Sequence, residues 1–312
     1  MYYIGLDIGG TKCAASLGKI VGDKIELLAR NEVKTLPSAE ETLMGLKPFI
    51  DEYKDATGAT VAGISCGGPL DSKKGVILTP PNLPDWHGFA IVDFVKEKFE
   101  LTARLQNDAN ACAVAEWMFG AGRGTQNMVF CTFGTGFGAG LILDGKLYSG
   151  TNDNAGEAGH IRLAKNGPIG FGKYGSFEGF CSGGGIARLA QDMAKRCKKI
   201  PACIEKMGGM SAITTKKLAE AAFAGDPFAK RVFAKSGQML GRGLSVIIDL
   251  LNPEKIVLGG VFMRSHALLV PAMKKEIAKE ALGISAEVCE IVPAQLSENI
   301  GDIAALAIAK GV

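Results

Sequence analysis

Two short stretches of the chain combine glycine and threonine with charged side chains, a pattern suited to binding anions. In "DIGGTK", Gly9 and Gly10 permit a tight turn whose backbone N–H groups can point at an anion. Thr11 adds a hydroxyl donor and Lys12 adds a cation. Asp7 could hold a water molecule or a Mg²⁺ ion that accompanies phosphates. The alternative is a plain hairpin turn with a surface lysine.

A second glycine–threonine turn, "FGTGFGAG", and a glycine pair in "VLGGVF" extend this pattern. Two such turns facing each other would grip a polyphosphate from both sides, and a flat base could lie against Gly259 and Gly260 after a buried strand. Together they favour a nucleotide site over three ordinary strand ends. None is a Walker A loop or a Rossmann glycine motif. The residues of the second turn are Gly134, Thr135, Gly136 and Gly138.

A polar pair in "QNDANA" lies where a strand is expected to pass into a helix. Asp108 is either the N-cap of that helix or a general base at the strand's carboxyl end, and the two roles are compatible. Asn107 can both donate and accept hydrogen bonds, which suits a sugar hydroxyl.

Three more polar side chains stand among glycines between residues 156 and 180, in "GEAGHIRLAKNGPIGFGKYGSFEGF". They are Glu157, His160 and Glu178. A lone histidine is more often structural than functional, but with two glutamates beside it we interpret the set as a sugar site.

Strand and helix patterns alternate along the chain, which predicts an α/β protein with largely buried sheets. The opening hairpin "IGLDIGGTKCAASLGK" resembles "MVFCTFGTGFGAGLILDG", so the second half is expected to begin with the same hairpin. "ANACAVAEWMFG" is expected to be a helix that Gly120 ends, and the glycine-rich "GAGRGTQN" after it is the candidate domain boundary.

Composition places the chain among soluble two-domain proteins. Its 312 residues suggest two domains, and the net charge of +3 does not favour a nucleic-acid or membrane partner. The eight cysteines form no C-x-x-C pair, which indicates reduced thiols in a cytoplasmic protein. The stretch "MYYIGLDIGG" lacks the charged start and long apolar core that are typical of a signal peptide, and no uncharged apolar run approaches the length of a membrane span.

The ordered set of motifs resembles the ROK family of sugar kinases and sugar-responsive repressors. It includes "DIGGTK", "GGP", "PNLPDW", "NDANA", "GTGFGAG", "GEAGH", "GSFEGFCSGGGI", "LNPEKIVLGG" and "GDIAALA". The resemblance implies an actin-like, hexokinase-type (ribonuclease H-like) fold of two α/β domains with a central cleft. The first domain would comprise residues 1–120 and 297–312, and the second residues 121–296. The terminal helix would pack on the first domain.

The resemblance also implies roles for individual residues. Asp108 matches the catalytic base, and the phosphate loops would be Asp7 with Gly9 to Lys12 and Gly134 to Gly138. Gly259 and Gly260 match the adenosine side. The implied sugar contacts are Gly68, Asn82, Asn107, Asp108, Glu157, His160 and Glu178.

One loop departs from the family pattern, in which three cysteines and the histidine bind a structural zinc. Here Ile169, Phe171 and Ser176 stand at the cysteine positions. Because Ile and Phe cannot ligate zinc, we predict no structural zinc. We expect Ile169 and Phe171 to form an apolar plug, with His160 held by a hydrogen bond at its second ring nitrogen.

The leading hypothesis is an ATP- and Mg²⁺-dependent kinase of the hexose 6-hydroxyl, with glucose as the first choice of substrate and a homodimer as the expected assembly. Alternatives are kinases of N-acetylmannosamine, N-acetylglucosamine, fructose or allose, and a non-catalytic sugar-binding protein. A repressor is disfavoured, because "DIGGTK" begins at Asp7 and leaves no room for a DNA-binding domain.

Overall fold

The first two strands of the chain form a β-hairpin that is part of a five-stranded mixed sheet. The computed structural model describes residues 1–296 and 299–311. The strands of this sheet are β1 (Tyr2–Ile8), β2 (Lys12–Val21), β3 (Lys24–Lys34), β4 (Val61–Cys66) and β7 (Thr102–Asn107), in the order β3-β2-β1-β4-β7. Two short strands, β5 (Leu70–Asp71) and β6 (Val76–Ile77), form a separate ribbon.

Strands β1, β4 and β7 run parallel, and their register sets the geometry of the sheet edge. Ile8 pairs with Cys66, and Cys66 pairs with Asn107. These are the last residues of the three strands, so the segments that follow them all emerge at one edge. In open α/β sheets, ligands bind beyond such carboxyl ends.

The helices that accompany the first sheet are α1 (Ala39–Thr57), α2 (Ile91–Phe99), α3 (Asp108–Phe119) and α11 (Ile300–Lys310). Helix α3 is the one predicted from "ANACAVAEWMFG", and the N–H of Gly120 closes it by donating to Glu116 O. Helix α11 packs so closely on β4 that a Cβ on Gly63 would collide with the carbonyl oxygen of Ala305. Such an approach requires glycine in the strand.

A second five-stranded sheet repeats the order of the first. Its strands are β8 (Met128–Phe133), β9 (Phe137–Leu143), β10 (Lys146–Tyr148), β13 (Lys255–Leu258) and β14 (Glu290–Pro293), in the order β10-β9-β8-β13-β14. Each sheet therefore starts with three consecutive strands side by side and adds a later strand next to the first of them. The similarity of the two hairpin sequences predicted this correspondence, and the strand orders confirm it.

Most of the remaining elements lie between β10 and β14. They are the ribbon of β11 (Ile169–Gly170) and β12 (Lys173–Tyr174) and the helices α4 (Phe177–Phe180), α5 (Gly183–Lys195), α6 (Ala202–Met207), α7 (Thr215–Phe223), α8 (Pro227–Leu251), α9 (Val261–Glu280) and α10 (Gly283–Glu287). Helix α8 begins at Pro227 behind an Asp226 cap and ends at Asn252, which adopts a left-handed conformation. Pro253, the residue after this cap, cannot donate a backbone hydrogen bond that would continue the helix.

The chain divides into two units. The first comprises Met1–Phe130, Gly140–Gly156 and Ala294–Val312, and the second comprises Cys131–Ala139 and Glu157–Pro293. The boundary predicted at residues 120/121 stays a prediction, and the predicted return to the first domain begins at Ser297, which with Glu298 and Val312 lies outside the described residues.

A buried carboxylate in the first unit joins helix α3 to the segment that precedes α11. Glu116 is fully buried, and its oxygens accept hydrogen bonds from the backbone N–H of Ala121 (2.8 Å), Gln295 (2.9 Å) and Leu296 (2.8 Å). Three backbone donors therefore satisfy this buried polar group, which would otherwise be costly to bury.

Replacing Glu116 with Ala is expected to lower the free energy of unfolding by about 2–4 kcal/mol, because backbone donors lose their acceptor and a cavity is left. Urea unfolding measures the effect. The control is Glu97→Ala in α2, whose side chain is 72% exposed and whose loss should change stability by less than about 0.5 kcal/mol. Equal effects of the two changes would contradict this role for Glu116.

All eight cysteines carry free thiols. Cys197 is exposed and Cys289 is half-buried, whereas the other six are buried. In the described part of the chain, none of the helices has the length and apolar character of a bilayer crossing.

Candidate active site

The edge of the first sheet gathers the predicted residues of the first unit. Asp7 is the penultimate residue of β1, Gly68 follows β4, and Asp108 follows β7. Because the three strands are adjacent and in register at their ends, segments that are far apart in sequence become neighbours there.

Helix α3 begins at Asp108, and its N-cap is Asn107. The Asn107 Oδ1 accepts from the N–H of Ala109 (3.0 Å) and more weakly from that of Asn110 (3.4 Å). The reading of Asp108 as the N-cap is therefore wrong, since the polar side chain one residue earlier takes that position. Asp108 lies in the first turn, exposed, with its Oδ1 accepting from Ala109 N–H at 2.7 Å. The positive end of the helix dipole stabilises a carboxylate there.

The glycine loop after β4 lies between the two predicted amide contacts for the sugar. A Cβ on Gly68 would stand 2.9 Å from Asn107 Nδ2, and one on Gly67 would stand 3.4 Å from Asn82 Oδ1. On its other side, Asn82 approaches the first phosphate turn, since a Cβ on Gly10 would lie 2.5 Å from the Asn82 carbonyl oxygen. The structure therefore brings the predicted sugar contacts of this unit next to the predicted phosphate turn.

The first phosphate turn is a tight hairpin braced from β3. Gly9 N–H donates to Lys12 O at 3.1 Å, and the hydroxyl of Thr35 donates to Gly9 O at 2.6 Å. Thr11 and Lys12 are exposed. The Nζ of Lys12 is ion-paired with Glu32, which also accepts from Arg30 at 2.7 Å.

Asp7 lies in an acidic corner that includes residues from distant parts of the sequence. Burial, and then the negative charges of Asp302 and Asp108, raise the pKa of Asp7 to about 6, while Arg30 acts in the opposite direction. Arg30 Nε donates to Asp302 Oδ2 at 2.9 Å, and Asp302 Oδ1 is buried without a hydrogen-bond partner among the described residues. A Cβ on Gly301 would lie 2.6 Å from Asp7 Oδ2, so glycine is needed at that position.

In the second unit, the predicted second phosphate turn is supported by Glu178. Phe137 N–H donates to Glu178 Oε2 at 3.1 Å, and a Cβ on Gly136 would lie 2.8 Å from the same oxygen. Gly134 accepts from Gly183 N–H at 2.8 Å, at the start of α5. Gly138 N–H donates to the Thr132 hydroxyl at 2.9 Å, whereas Gly134 and Thr135 are exposed.

The glycine pair predicted for the adenosine side lies against this same turn. Gly259 N–H donates to Cys131 O at 3.0 Å, and a Cβ on Gly260 would clash with Phe133 O. Gly260 has a φ of 60°, a conformation that glycine adopts readily. The glycines that follow β13 thus lie beside the second phosphate turn. A nucleotide site in this unit would require that proximity of the adenosine and phosphate residues.

The remaining predicted sugar residues of the second unit lie around a single 3₁₀ turn, Ala158–His160. Glu157 precedes the turn and is exposed. Gly159 packs against the second phosphate turn, because a Cβ there would clash with Phe137 O and lie 3.4 Å from Glu178 Cβ. His160 is half-buried, and its carbonyl oxygen accepts from Lys173 Nζ at 2.7 Å.

The loop that lacks the zinc cysteines differs from its predicted form. Ile169 is 38% exposed and Phe171 is 64% exposed, so the predicted apolar plug is wrong. Gly170 packs on the start of α4, with the position of its missing Cβ 2.7 Å from Ser176 Oγ. Ile169 is the strand neighbour of Gly170, so its side chain points to the opposite face from that contact. Phe171 follows the strand in the turn of the ribbon, where it adopts a left-handed conformation with a φ of 46°. Ser176 caps α4 by accepting from Gly179 N–H at 3.1 Å.

The predicted hydrogen bond at the His160 ring is also wrong. The ring makes none with the residues that the structure describes, and instead contacts Phe171 edge-on, with ring centroids 4.9 Å apart. Within residues 1–296 and 299–311, no three His, Cys, Asp or Glu side chains come together as ligands for a metal ion. The absence of zinc stays a prediction, which stoichiometric zinc in purified protein would contradict.

Sequence reasoning did not identify several side chains that shape these sites. The first phosphate turn and Asp7 are surrounded by Arg30, Glu32 and Asp302. The first two lie on β3 and the third on α11, and nothing in the sequence indicates that these elements meet at the turn. Lys173 and Phe171 support His160 from the ribbon that replaces the zinc loop. The only hint of these two contacts in the sequence was the presence of an aromatic residue and a lysine, Phe171 and Lys173, in the loop that lacks the cysteines.

Comparison with known proteins places this geometry in a family. The ROK family profile matches residues 3–312. A glucokinase of Thermotoga maritima is 29% identical over 309 residues, covering 98% of this chain and 96% of that protein. The crystal structure of a ROK family glucokinase from Streptomyces griseus in complex with glucose and AMPPNP has a TM-score of 0.81 and 30% identity, with 100% of both chains covered.

A ROK family transcriptional regulator, a homologue of the E. coli MLC protein, is also similar, with a TM-score of 0.85 and 25% identity over 99% of this chain and 78% of that one. The chain belongs to the ROK family. It has the α/β, actin-like fold of the ROK hexokinases, as its motifs predicted.

Proposed function

We propose that this protein is an ATP-dependent hexose kinase that phosphorylates the 6-hydroxyl, with glucose as its first substrate. The observation that carries the proposal is the full-length match to a ROK glucokinase that binds glucose and an ATP analogue. An exposed carboxylate, Asp108, at the start of a helix beside Asn107 and Gly68 supports it.

In the proposed reaction, Asp108 accepts the proton of the sugar 6-hydroxyl. The oxygen forms a bond to the γ-phosphorus while the bond between that phosphorus and the β,γ-bridging oxygen breaks, so that ADP leaves. Catalysis of this kind rests mainly on positioning and on stabilisation of charge. The capped start of α3 fixes the backbone that carries Asp108, which favours a constant carboxylate position.

The sugar residues are proposed to be Gly68, Asn82, Asn107, Glu157, His160 and Glu178, and the phosphate residues to be those of the two glycine–threonine turns. The Glu178 carboxylate already accepts from one of these turns, at Phe137 N–H, so one residue supports the second turn and offers its other oxygen to the sugar. Gly259 and Gly260 are proposed for the adenosine side, because they lie against the same turn.

The acidic corner at Asp7 fits Mg²⁺. A buried carboxyl with a raised pKa and the orphaned Asp302 Oδ1 are oxygen donors in need of a cation. Mg²⁺ commonly takes one or two carboxylates, with phosphates and waters as its other ligands. Asp7 would hold the ion, which when bound neutralises charge on the phosphates of ATP.

Release of ADP on a panel of glucose, N-acetylmannosamine, N-acetylglucosamine, fructose and allose tests the proposal. We expect glucose to give the highest kcat/KM. A higher kcat/KM on another sugar would reassign the substrate. No ADP release above the sugar-free rate on any of them would refute the kinase.

Replacing Phe171 with Ala is expected to raise the KM for the sugar about 2- to 10-fold with little change in kcat. The reason is that the edge contact which orients His160 is lost, and such contacts contribute about 0.5–1.5 kcal/mol. The control is Tyr174→Ala, which removes another exposed aromatic ring from the same ribbon. Equal KM values for the two variants would contradict the role of Phe171.

Two further proposals rest on the family: a homodimer and a cytoplasmic location. Light scattering of the purified protein measures the first, and fractionation of cells that express it measures the second.

A further inference from the structure

A cavity of about 670 Å³ lies in the second unit among helices α5, α8 and α9. None of the residues proposed for sugar, phosphate or adenosine lines it. Its volume is within the range of small-molecule sites, which are about 300–1,000 Å³. The cavity therefore has the size of a ligand site and no part in the function proposed above.

Four cationic side chains line this cavity. Arg196 stands at the end of α5, Arg231 and Lys235 lie one turn apart on α8, and Lys275 lies on α9. Arg196, Arg231 and Lys275 make no ion pair with any residue in the described ranges. The Cζ atom of Arg231 lies over the ring of Phe228, 5.8 Å from its centroid. Side chains at the end of α5, on α8 and on α9 thus bring positive charges without carboxylate partners to the lining of one cavity.

The two acidic residues in the lining do not balance these cations. Glu276 is buried and accepts from Arg242 Nη2 at 2.6 Å and from Gln238 Nε2 at 3.1 Å. Its charge is therefore matched by Arg242, which does not line the cavity. Asp192 faces Lys195 at 4.0 Å.

Lys235 is the fourth cation of the lining, and it also lacks a carboxylate partner. Its Nζ donates to Gln238 Oε1 at 2.9 Å, and no carboxylate in the described ranges pairs with it. Desolvation, and next the charge of Arg242, lower its pKa from the ordinary value. An anion in the cavity would offset both effects.

Most of the rest of the lining is apolar, although Asn166 and Gln238 are polar. The apolar side chains include those of Phe180, Leu189, Met193, Ala234 and Ala272. Inorganic phosphate would bind the cations but would not contact these apolar side chains, which form the apolar wall of the cavity. An organic molecule that carries a phosphate uses both parts, because its phosphate meets the cations and its carbon skeleton covers the apolar wall. We infer that the cavity binds a phosphate-bearing small organic molecule of the size of a sugar phosphate.

Calorimetric titration of the full-length protein with glucose 6-phosphate tests this inference, with inorganic phosphate as the comparison. Saturating glucose and Mg²⁺–AMPPNP are present to occupy the proposed active site. We expect binding of glucose 6-phosphate at one site per chain, at least about tenfold tighter than that of inorganic phosphate.

Two double variants separate the cavity from general surface charge. Arg231→Glu with Lys275→Glu reverses two lining charges and should weaken glucose 6-phosphate binding at least about tenfold. Lys198→Glu with Lys199→Glu reverses two exposed lysines that do not line the cavity, and should leave binding unchanged. A milder pair, Arg231→Gln with Lys275→Gln, gives the same comparison should the charge-reversed chain not fold.

Failure to bind glucose 6-phosphate, or equal weakening in the cavity and control variants, would overturn the inference. Equal affinity for inorganic phosphate would overturn the organic ligand, because the apolar wall would then contribute nothing. ADP release is measured separately, so loss of the proposed kinase function and loss of this site remain distinguishable.

Discussion

Replacing Asp108 with Asn is expected to lower kcat by about 10²–10⁴-fold while the Kd for the sugar changes little. The amide keeps the size and shape of the carboxylate and can still accept a hydrogen bond from Ala109 N–H, but it cannot take a proton at neutral pH. The stated range is that of a positioned general base. ADP release gives kcat, and calorimetry gives the affinity for the sugar.

The matched control is Asp93→Asn, the same change in the first turn of helix α2, where the residue is also exposed. It should leave kcat within about twofold of the unaltered chain. Near-normal turnover in the Asp108 variant would refute its role as the base. A loss of sugar affinity as large as the loss of kcat would indicate a binding role.

Replacing Asp7 with Asn is expected to stabilise the magnesium- and nucleotide-free protein while lowering its activity. Burial and the neighbouring Asp302 and Asp108 raise the pKa of Asp7 from 3.8 to about 6 in the folded state. Between these two values the folded chain binds a proton that the unfolded chain has released, so stability falls as the pH rises through this window. Above it, the ionised Asp7 costs at most about 3 kcal/mol, which the amide removes.

The gain should therefore be present at pH 7.5 and nearly lost at pH 3.5, which lies below both pKa values, so that the carboxyl is mostly protonated in both states. Urea unfolding at the two pH values measures it. Asp55→Asn, at an exposed position on α1, should show no such difference. Turnover of the Asp7 variant should fall at least about 100-fold, because the proposed magnesium ligand is lost. Lower stability at pH 7.5, or unchanged turnover, would contradict the assignment.

The sequence was most informative where function depends on backbone conformation. Glycine pairs after apolar runs predicted the strand ends and turns, and the parallel pairing of β1, β4 and β7 then placed Asp7, Gly68 and Asp108 at one edge. The repeated hairpin was visible because both sheets begin with the same three-strand arrangement.

Interactions between distant segments could not be predicted in the same way. Asp302 is almost 300 residues from Asp7, and only the packing of α11 on the sheet makes it part of the acidic corner. Asn107 and Asp108 are both good N-caps, so the cap was decided by where β7 ends. The predicted apolar plug was wrong because it rested on the apolarity of Ile169 and Phe171 alone. The backbone leaves both side chains exposed, Ile169 in the strand and Phe171 in the turn after it.

The ion pair between Lys12 and Glu32 has a consequence for the proposed phosphate role of Lys12, namely for how nucleotide affinity would respond to ionic strength. Lys12 already pairs with the carboxylate of Glu32. A phosphate that binds Lys12 would therefore replace one negative partner with another. Dissolved salt screens the pair that is broken as well as the contact that is formed. In its proposed phosphate role, Lys12 would therefore make a contribution to ATP binding that varies less between dilute and concentrated buffers than that of a lysine which starts without a partner.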